Sequence, residues 1–418
     1  MKIQDVICVA GYSGFYFDDQ LAIKNGAEHD GFFYTGDTKT KGFDSIRKAG
    51  ETISVMIMTS DGLAGIGDCA AVQYSGAGGR DPLFSAEEYI PFIQKKILPK
   101  LIGRELDSFR ELASMIDSMI VDGRRVHTAI RYGFSQALMN SVAKVHGRLP
   151  VEQLCYEYDL PLIPEPLQLF GQSGDDRYTG VDKMIIKGVD VMPHGLINEI
   201  NTKLGREGEL LNEYISWLHD RVIAKRTDST YSPDLHLDVY GTIGQIFDYD
   251  IVKMCDYIAG LQSTAGEFDL YIEGPVDMGE RPRQIEVMKQ MTDQLAVIGS
   301  PVKLVADEWC NTFEDIKAFT DAKACAMVQI KTPDLGSIHN TIESVLYCKE
   351  HNMEAYQGGT CNETNISAIA CVHAGLATRP DRMLIKPGMG FDEGYTIVKN
   401  EMLRTIAIVD RLLEQRGR

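Results

Sequence analysis

The chain has 418 residues, more than one ordinary hydrophobic core accommodates, which predicts two domains, one of them large. Its formal net charge of −18 argues against a nucleic acid or an anionic membrane as a partner, because phosphate groups are held mainly by lysine and arginine. With 44% hydrophobic and 24% charged residues, the composition is typical of a globular protein and excludes a disordered chain.

The expected cellular location follows from the apolar runs and the cysteines. No run approaches the roughly 20 apolar residues that a membrane span requires. Gln4 and Asp5 interrupt the first apolar stretch, unlike a secretion signal. The nine cysteines are an odd number and include no CxxC pair, so they are predicted to be reduced thiols. We therefore expect a cytoplasmic protein.

The first 160 residues are predicted to form an α+β domain. Apolar runs at 3–9, 53–58 and 63–66 predict strands, the last two joined by a hairpin turn at 60–62. Helical spacing of apolar residues predicts helices at 86–101 and 131–147. Between these two groups of elements, residues 69–82 are rich in small side chains and include Gln73. They are either a mobile lid over a pocket or an ordinary surface loop.

A proline-rich segment at 159–170 predicts the boundary between a domain 1–160 and a domain 161–418. Helix-patterned segments such as 209–226 alternate with strand-like runs beyond it. Eight such runs in alternation with helices predict a (β/α)8 (TIM) barrel, with the first domain as its cap. The runs lie at 166–170, 183–187, 235–239, 270–273, 302–307, 327–331, 353–357 and 383–386.

Three acidic residues, Asp238, Glu273 and Asp307, each end one of these apolar runs. They are 35 and 34 residues apart, about the length of one strand-helix unit, since eight units make a domain of roughly 250 residues. Because the strands of a parallel barrel end at one mouth, the three carboxylates are predicted to converge there. Oxygen ligands of this kind suit a hard divalent cation, and Mg²⁺ is the predicted ion. The alternative is that each acid only caps the next helix.

The two-residue repeat of a strand predicts which side chains accompany these acids. His236, Tyr271 and Val305 stand two residues before the three acids and are predicted to share their face of the strand. The opposite face takes the apolar side chains Leu235, Leu237, Leu270, Ile272, Leu304 and Ala306.

Two residues are candidates for acid-base chemistry at the same mouth. Lys331 follows Gln329 by two positions on the next strand, and a divalent cation beside it would lower its pKa and make it a general base. His194 lies just beyond the run at 183–187 and is a second candidate, opposite Lys331. Two such groups on opposite sides of a substrate suit removal of a proton next to a carboxylate. The alternatives are a solvated lysine and a packing histidine.

Polar loop residues complete the predicted pocket. In the loop 357–364, Thr360 and Cys361 can donate hydrogen bonds to a substrate carboxylate, while a nucleophilic Cys361 is the rival hypothesis. Three weaker candidates for the pocket are Tyr356, Gln172 and Gln73.

The motifs together resemble one known family. The three acids and Lys331 make the metal-and-base pattern of the enolase superfamily. With His194 and the stretches DCAAVQYSGAGGRDP, GQSGDDRY, DVYGTIG, VADEWCNT, VQIKTPDLG, GGTCNET and KPGMGFDEG, essentially the whole chain closely resembles the methylaspartate ammonia-lyases.

The resemblance implies a reaction and a set of roles. The family removes ammonia from (2S,3S)-3-methylaspartate to give mesaconate through a metal-stabilised aci-carboxylate, a step of glutamate fermentation. It implies Lys331 as the base at C3, His194 as the acid or base on the opposite face, and Mg²⁺ on the three acids. It also implies activation by a monovalent cation such as K⁺, and a homodimer. Gln172, Thr360 and Cys361 would hold one carboxylate, Gln329 and His194 the other, and Gln73 would lie near the amino group.

One departure from the wider superfamily concerns the second strand. Many relatives end it with a Lys-x-Lys pair, whereas Lys183 and Lys187 are four residues apart here, so the opposite-face role falls to His194 and Lys187 is left a supporting part. Two rival functions remain: an acid-sugar dehydratase of the same superfamily, and a barrel that has lost catalysis and only binds. An intact acidic triad with Lys331 argues against the second, since a binding protein does not need a costly cluster of like charges.

Overall fold

The computed structural model describes residues 1–77 and 79–416. Among these, eight parallel strands close into a barrel, which confirms the predicted TIM fold. The barrel strands are β8 (Leu169–Phe170), β9 (Val191–His194), β10 (Asp234–Asp238), β11 (Leu270–Glu273), β12 (Lys303–Ala306), β13 (Met327–Ile330), β14 (Glu354–Gln357) and β15 (Arg382–Leu384). They are hydrogen-bonded in the order β10-β11-β12-β13-β14-β15-β8-β9.

Helices surround the barrel and connect its strands. The principal ones are Arg177–Lys187, Glu209–Lys225, Ile251–Ala265, Arg281–Val297, Phe313–Ala322, Ile338–Glu350, Asn365–Thr378 and Phe391–Arg416. Shorter helical segments lie at Ile200–Leu204 and Thr242–Ile246.

The two faces of the barrel strands divide as the two-residue repeat predicts. The interior holds a small apolar cluster that includes Tyr271, Val305 and Tyr356. The leucines at 235, 237, 270 and 304 join the large core between the strands and the surrounding helices. The three predicted acids therefore lie at the mouth end of interior-facing rows.

The prediction of a strand at 183–187 is wrong, because this segment is the last turn and a half of the helix Arg177–Lys187. The Asp176 side chain accepts a hydrogen bond from Thr179 N at the start of that helix, and Gly188 ends it in the left-handed conformation with φ 62°. The second barrel strand is Val191–His194, a shorter run that the pattern did not reveal. Lys183 and Lys187 pair with Asp392 on the outer surface, so neither supports the site.

The first domain is α+β, as predicted, and is built on a three-stranded antiparallel sheet in the order β1-β4-β5. Its strands are β1 (Asp5–Asp18), β2 (Glu28–Asp30), β3 (Phe33–Thr35), β4 (Arg47–Thr59), β5 (Gly62–Asp68), β6 (Ile120–Val121) and β7 (Arg124–Arg125). Its helical segments are Gln20–Lys24, Ala86–Phe92, Ile93–Ile97, Leu98–Leu101, Phe109–Asp117, Thr128–Val145 and Pro150–Glu157.

The long helix of this domain packs very closely on the sheet. A Cβ atom on Gly65 would lie 2.3 Å from Ala137 O, and one on Gly67 would lie 2.1 Å from Gly133 O. Glycine is therefore required at both positions of β5 for the helix Thr128–Val145 to reach the strand.

The cap is fastened to the barrel through the loop that follows β14. Gly14 N donates to Glu363 O at 3.1 Å, Ser13 Oγ donates to Asn362 Oδ1 at 2.7 Å, and Tyr132 Oη donates to Glu363 Oε2 at 2.9 Å. These bonds hold the cap over the mouth of the barrel. Among the described residues, none of the helices has the length and apolar character needed to cross a membrane.

Candidate active site

A cavity of about 150 Å³ lies at the mouth of the barrel, between the strand ends and the cap. Every predicted site residue lines it except Glu273 and Tyr356. The barrel thus brings together side chains that are up to 288 residues apart, since Gln73 and Cys361 are in contact there.

Two of the three predicted acids lie side by side, together with His194. One ligand atom from each of His194, Asp238 and Glu273 lies within 4.8 Å of the others. Asp238 Oδ1 accepts from Tyr240 N at 3.1 Å, and Glu273 is fully buried. Asp307 is not part of this group but is close enough to affect the pKa of Asp238, and its Oδ1 lies 2.7 Å from Lys331 Nζ.

The electrostatics of these acids show an excess of negative charge. Burial and the neighbouring Asp307 raise the pKa of Asp238 well above its ordinary value. Burial and Asp238 do the same to the pKa of Glu273. Buried oxygen donors that disfavour each other's ionised form fit a hard divalent cation, which would supply the missing positive charge.

The acids around Lys331 determine the direction of its pKa shift. Burial lowers its pKa, but Asp307 and then Glu308 and Asp334 outweigh burial, and the net shift is upward. This upward shift applies to the protein alone, because the carboxylate of Asp307 interacts with the ammonium group directly. The predicted lowering depends on a neighbouring cation that offsets this carboxylate, and it stays a prediction.

His194 is the last residue of β9 and reaches the cavity in a left-handed backbone conformation, φ 66°. Its Nε2 lies 3.6 Å from Asp238 Oδ2, and its buried Nδ1 has no hydrogen-bond partner among the described residues. Burial, with a contribution from Lys331, lowers the pKa of His194 to about 4. The imidazole is therefore neutral at pH 7, with one ring nitrogen still unpaired.

The predicted amide and hydroxyl residues surround the cavity. Gln329 Nε2 donates to Glu273 Oε1 at 2.6 Å, and Gln329 Oε1 has no hydrogen-bond partner in the part of the chain that the structure describes. Gln172 Nε2 donates to Gly388 O at 2.6 Å. The Cys361 thiol donates to Gln73 Oε1 at 3.4 Å, and burial raises the pKa of Cys361 to about 12. A thiol that stays protonated is a donor, which argues against the nucleophile hypothesis.

The structure does not bring Tyr356 to the cavity. Its ring lies deeper in the barrel, 5.3 Å from Phe170 and 5.5 Å from His236 between ring centroids. Its position in β14, one residue before the strand ends at Gln357, places it a layer below the mouth.

Part of the cavity wall comes from the cap, and its residues were not predicted from the sequence. Asp18 is buried and accepts a two-point ion pair from Arg47, with Nη2 at 2.7 Å, and also accepts from Gln73 Nε2 at 2.7 Å. Arg80 binds Asp334 at 3.0 Å and so joins the cap to the barrel loop after Lys331. No spacing rule connects these residues, since they lie at strand ends and in loops of a separate domain.

A second set of missed residues lies inside the barrel, below Glu273. His236 Nε2 is 2.8 Å from Glu273 Oε2, and Arg382 Nη1 is 3.1 Å from His236 Nδ1. Burial and Arg382 hold the pKa of His236 well below its ordinary value, so this ring is neutral. The two-residue repeat of the strand predicted the face on which His236 lies, but nothing in the sequence indicated its two partners.

Comparison with known proteins decides the family. Models of the N-terminal and C-terminal parts of methylaspartate ammonia-lyase match residues 1–159 and 161–411. The chain belongs to the methylaspartate ammonia-lyase family. It is accordingly an ammonia-lyase, a carbon-nitrogen lyase, and the family recognised from the motifs is confirmed.

Close members of the methylaspartate ammonia-lyase family cover nearly the whole chain. The enzyme of Citrobacter amalonaticus is 60% identical over 409 residues, 98% of this chain and 99% of its own length. Its crystal structure, which contains (2S,3S)-3-methylaspartic acid, matches 98% of this chain and 100% of that chain with a TM-score of 0.97. A Mg complex of β-methylaspartase from Clostridium tetanomorphum, 55% identical, matches the same shares with a TM-score of 0.95.

A more distant structure shares only the fold with this chain. Muconate lactonizing enzyme from Pseudomonas putida is 16% identical, and the match covers 90% of this chain and 85% of that chain with a TM-score of 0.59. At this identity the likeness shows a shared fold and not a shared substrate.

Proposed function

We propose that the protein removes ammonia from (2S,3S)-3-methylaspartate to give mesaconate, in a reaction that requires Mg²⁺. The observation that carries the proposal is the cavity in which Lys331 and His194 face the same space as the acids Asp238 and Asp307. Two relatives support it: the Citrobacter enzyme was solved with this amino acid, and the Clostridium enzyme with Mg.

Asp238, Glu273 and Asp307 would hold the metal, because they are buried carboxylates at the ends of three neighbouring barrel strands. When bound, Mg²⁺ would hold one substrate carboxylate and offset the negative charge of the three acids, so that charge left on C3 spreads into that carboxylate. Each of the three acids is 7% exposed or less, which gives such a charge a strong effect at short range.

Lys331 is the proposed base for the C3 proton, and His194 acts on the opposite face. Removal of that proton leaves an electron pair on C3, which forms the C2–C3 double bond as the C2–N bond breaks and ammonia departs. His194 is neutral and keeps Nδ1 unpaired, so it can accept a proton or donate from its other ring nitrogen. A base within reach of the proton contributes about 10²- to 10⁴-fold to the rate.

The remaining residues would orient the substrate. Thr360 would donate its hydroxyl hydrogen and Gln172 its second amide hydrogen to one carboxylate. The Cys361 thiol would donate to the same carboxylate in place of Gln73. Gln329 Nε2 has a second hydrogen beyond the one given to Glu273, so it can serve the other carboxylate beside His194. Gln73 would lie near the amino group. Substrate fixed in this way reacts from one geometry, which lowers the entropic part of the barrier.

The deciding experiment is ultraviolet absorbance after (2S,3S)-3-methylaspartate is added with MgCl₂. Mesaconate is conjugated and the substrate is not, so absorbance should rise with enzyme and fail to rise after chelation of the metal. Consumption of sugar acids in place of methylaspartate would instead support the acid-sugar dehydratase.

Further expectations belong to the same proposal. We propose that the protein acts in the cytoplasm in glutamate fermentation, forms a homodimer and is activated by a monovalent cation such as K⁺. Nine free cysteines, eight of them buried, are consistent with a reducing compartment. Sedimentation at several concentrations tests the dimer, and assays in KCl against tetramethylammonium chloride test the activation.

A further inference from the structure

A buried row of hydrogen bonds runs from the bottom of the barrel up to Glu273. Asp234 Oδ2 accepts from Arg382 Nη2 at 2.8 Å, and Arg382 Nη1 lies 3.1 Å from His236 Nδ1. His236 Nε2 then lies 2.8 Å from Glu273 Oε2. Arg382, His236 and Glu273 are each 1% exposed or less, so water does not compete for these bonds.

The chemistry of the groups fixes the direction of every bond in this row. A guanidinium has five N–H donors and no acceptor, so Nδ1 of His236 must accept from Arg382. The ring hydrogen of neutral His236 is then on Nε2, which donates to Glu273. Arg382 therefore selects the one tautomer of His236 that can bind a carboxylate.

Glu273 receives a second donor on its other oxygen. Gln329 Nε2 donates to Oε1 at 2.6 Å, while His236 holds Oε2. One bond to each oxygen sets both the position and the plane of the carboxylate. The remaining lone pairs stay available on the side where Asp238 and His194 converge.

Burying the charged side chain of Arg382 at this place carries a desolvation cost. It is the largest of the fully buried side chains, and its guanidinium carbon lies 3.9 Å from the centroid of the Tyr271 ring. Burying an ion pair seldom stabilises a protein more than apolar side chains of the same size would. Packing alone thus gives no reason for a cation here, whereas control of the His236 tautomer does.

We propose that Arg382 and His236 are positioning residues that hold the Glu273 carboxylate in the orientation required to bind a divalent cation. The inference rests on the proposed metal site and names residues that act through Glu273 without touching the ion. Groups that orient metal ligands in this way typically change metal affinity about 10- to 100-fold when removed.

The test is calorimetric titration of substrate-free protein with MgCl₂, so that activity is not the readout. Arg382→Met and His236→Leu should each weaken Mg²⁺ binding about 10- to 100-fold. His236→Gln retains an amide donor and should bind Mg²⁺ within a few-fold of the unsubstituted protein. The matched control is Arg131→Met, which breaks the buried Arg131–Asp117 pair in the cap and should leave Mg²⁺ affinity unchanged.

The outcomes separate this inference from the proposed function. Absence of Mg²⁺ binding by the unsubstituted protein would overturn the metal site itself and, with it, this inference. Normal binding there together with unchanged affinity in Arg382→Met would overturn the inference alone. If Arg382→Met fails to fold, the two His236 variants decide, since equal affinities for the leucine and glutamine forms contradict a role for the donated hydrogen.

Discussion

The two ends of the barrel interior differ in how the charge of their acidic residues is balanced. At the bottom, Asp234 pairs with Arg382 at 2.8 Å and Glu354 pairs with Lys303. At the mouth, the negative charge of Asp238 raises the pKa of Glu273, while Asp307 forms an ion pair with Lys331. The strand β10 shows both cases, since it begins with the paired Asp234 and ends four residues later with the crowded Asp238.

The difference also appears in the causes of the pKa shifts. Burial raises the pKa of Asp234, but Arg382 opposes the rise. Burial raises the pKa of Asp238 too, and there Asp307 adds to the rise. Acids whose charge is balanced within the fold serve stability, whereas acids left unbalanced at a strand end indicate a ligand that supplies the opposite charge.

The largest difference that we expect between the two ends of the barrel is the effect of a lysine substitution on kcat. Lys331→Ala should lower kcat for (2S,3S)-3-methylaspartate by about 10²- to 10⁴-fold, because the proposed base is lost. Calorimetry should still detect substrate binding. Lys303→Ala, which removes a lysine from the bottom of the same barrel, should change kcat by less than a few-fold. Comparable kcat losses in both variants would contradict the distinction between the two ends.

A buried ion pair close to the mouth tests what balanced charge contributes to stability. Lys386 and Glu363 are both fully buried, with Lys386 Nζ 2.8 Å from Glu363 Oε1, and Lys386 also donates to Thr332 Oγ1 at 3.0 Å. Lys386→Met would leave the carboxylate buried without its cation, and should reduce the free energy of unfolding by about 3–5 kcal/mol. Denaturant titration measures the loss. The double variant Lys386→Met/Glu363→Gln should recover part of it, and no recovery would argue against a charge effect.

The two ends of β10 should respond in opposite directions to the same chemical change. Asp234→Asn strands the charge of Arg382 and should lower the free energy of unfolding by roughly 2 kcal/mol, below the figure for fully buried pairs because Asp234 is partly exposed. Asp238→Asn relieves repulsion and should raise it by about 0.5–2 kcal/mol in the presence of a chelator. Thermal unfolding of both variants tests the pair, and a fall in stability for Asp238→Asn would refute the imbalance at the mouth.

The smallest expected effect separates the two faces of the substrate. His194→Ala should reduce turnover of the (2S,3R) diastereomer more than that of the (2S,3S) diastereomer, by about tenfold, or roughly 1.4 kcal/mol. Parallel assays on the two diastereomers give the ratio. Equal losses on both would remove the opposite-face role from His194 while leaving Lys331 as the base.

Much of the barrel was predictable because its signals are local. Apolar runs that end in an acid at intervals of 35 and 34 residues reflect one repeating unit, and the structure places Asp238 and Glu273 at strand ends. The run at 183–187 misled because three apolar residues in a row, 184–186, fit a helical turn as well as a strand. The predicted boundary near residue 160 stays a prediction.

The sequence by itself determined which strand ends carry acidic side chains and which lysine follows them, because the two-residue repeat of a strand and the length of a strand-helix unit are local properties. Only the tertiary structure decided which charges are balanced. Arg382 meets His236 across 146 residues and Gln73 meets Cys361 across 288, contacts made by closing the barrel and placing the cap. The pKa of Lys331 in the protein alone is raised for the same reason, since it depends on the acids that the fold brings beside it.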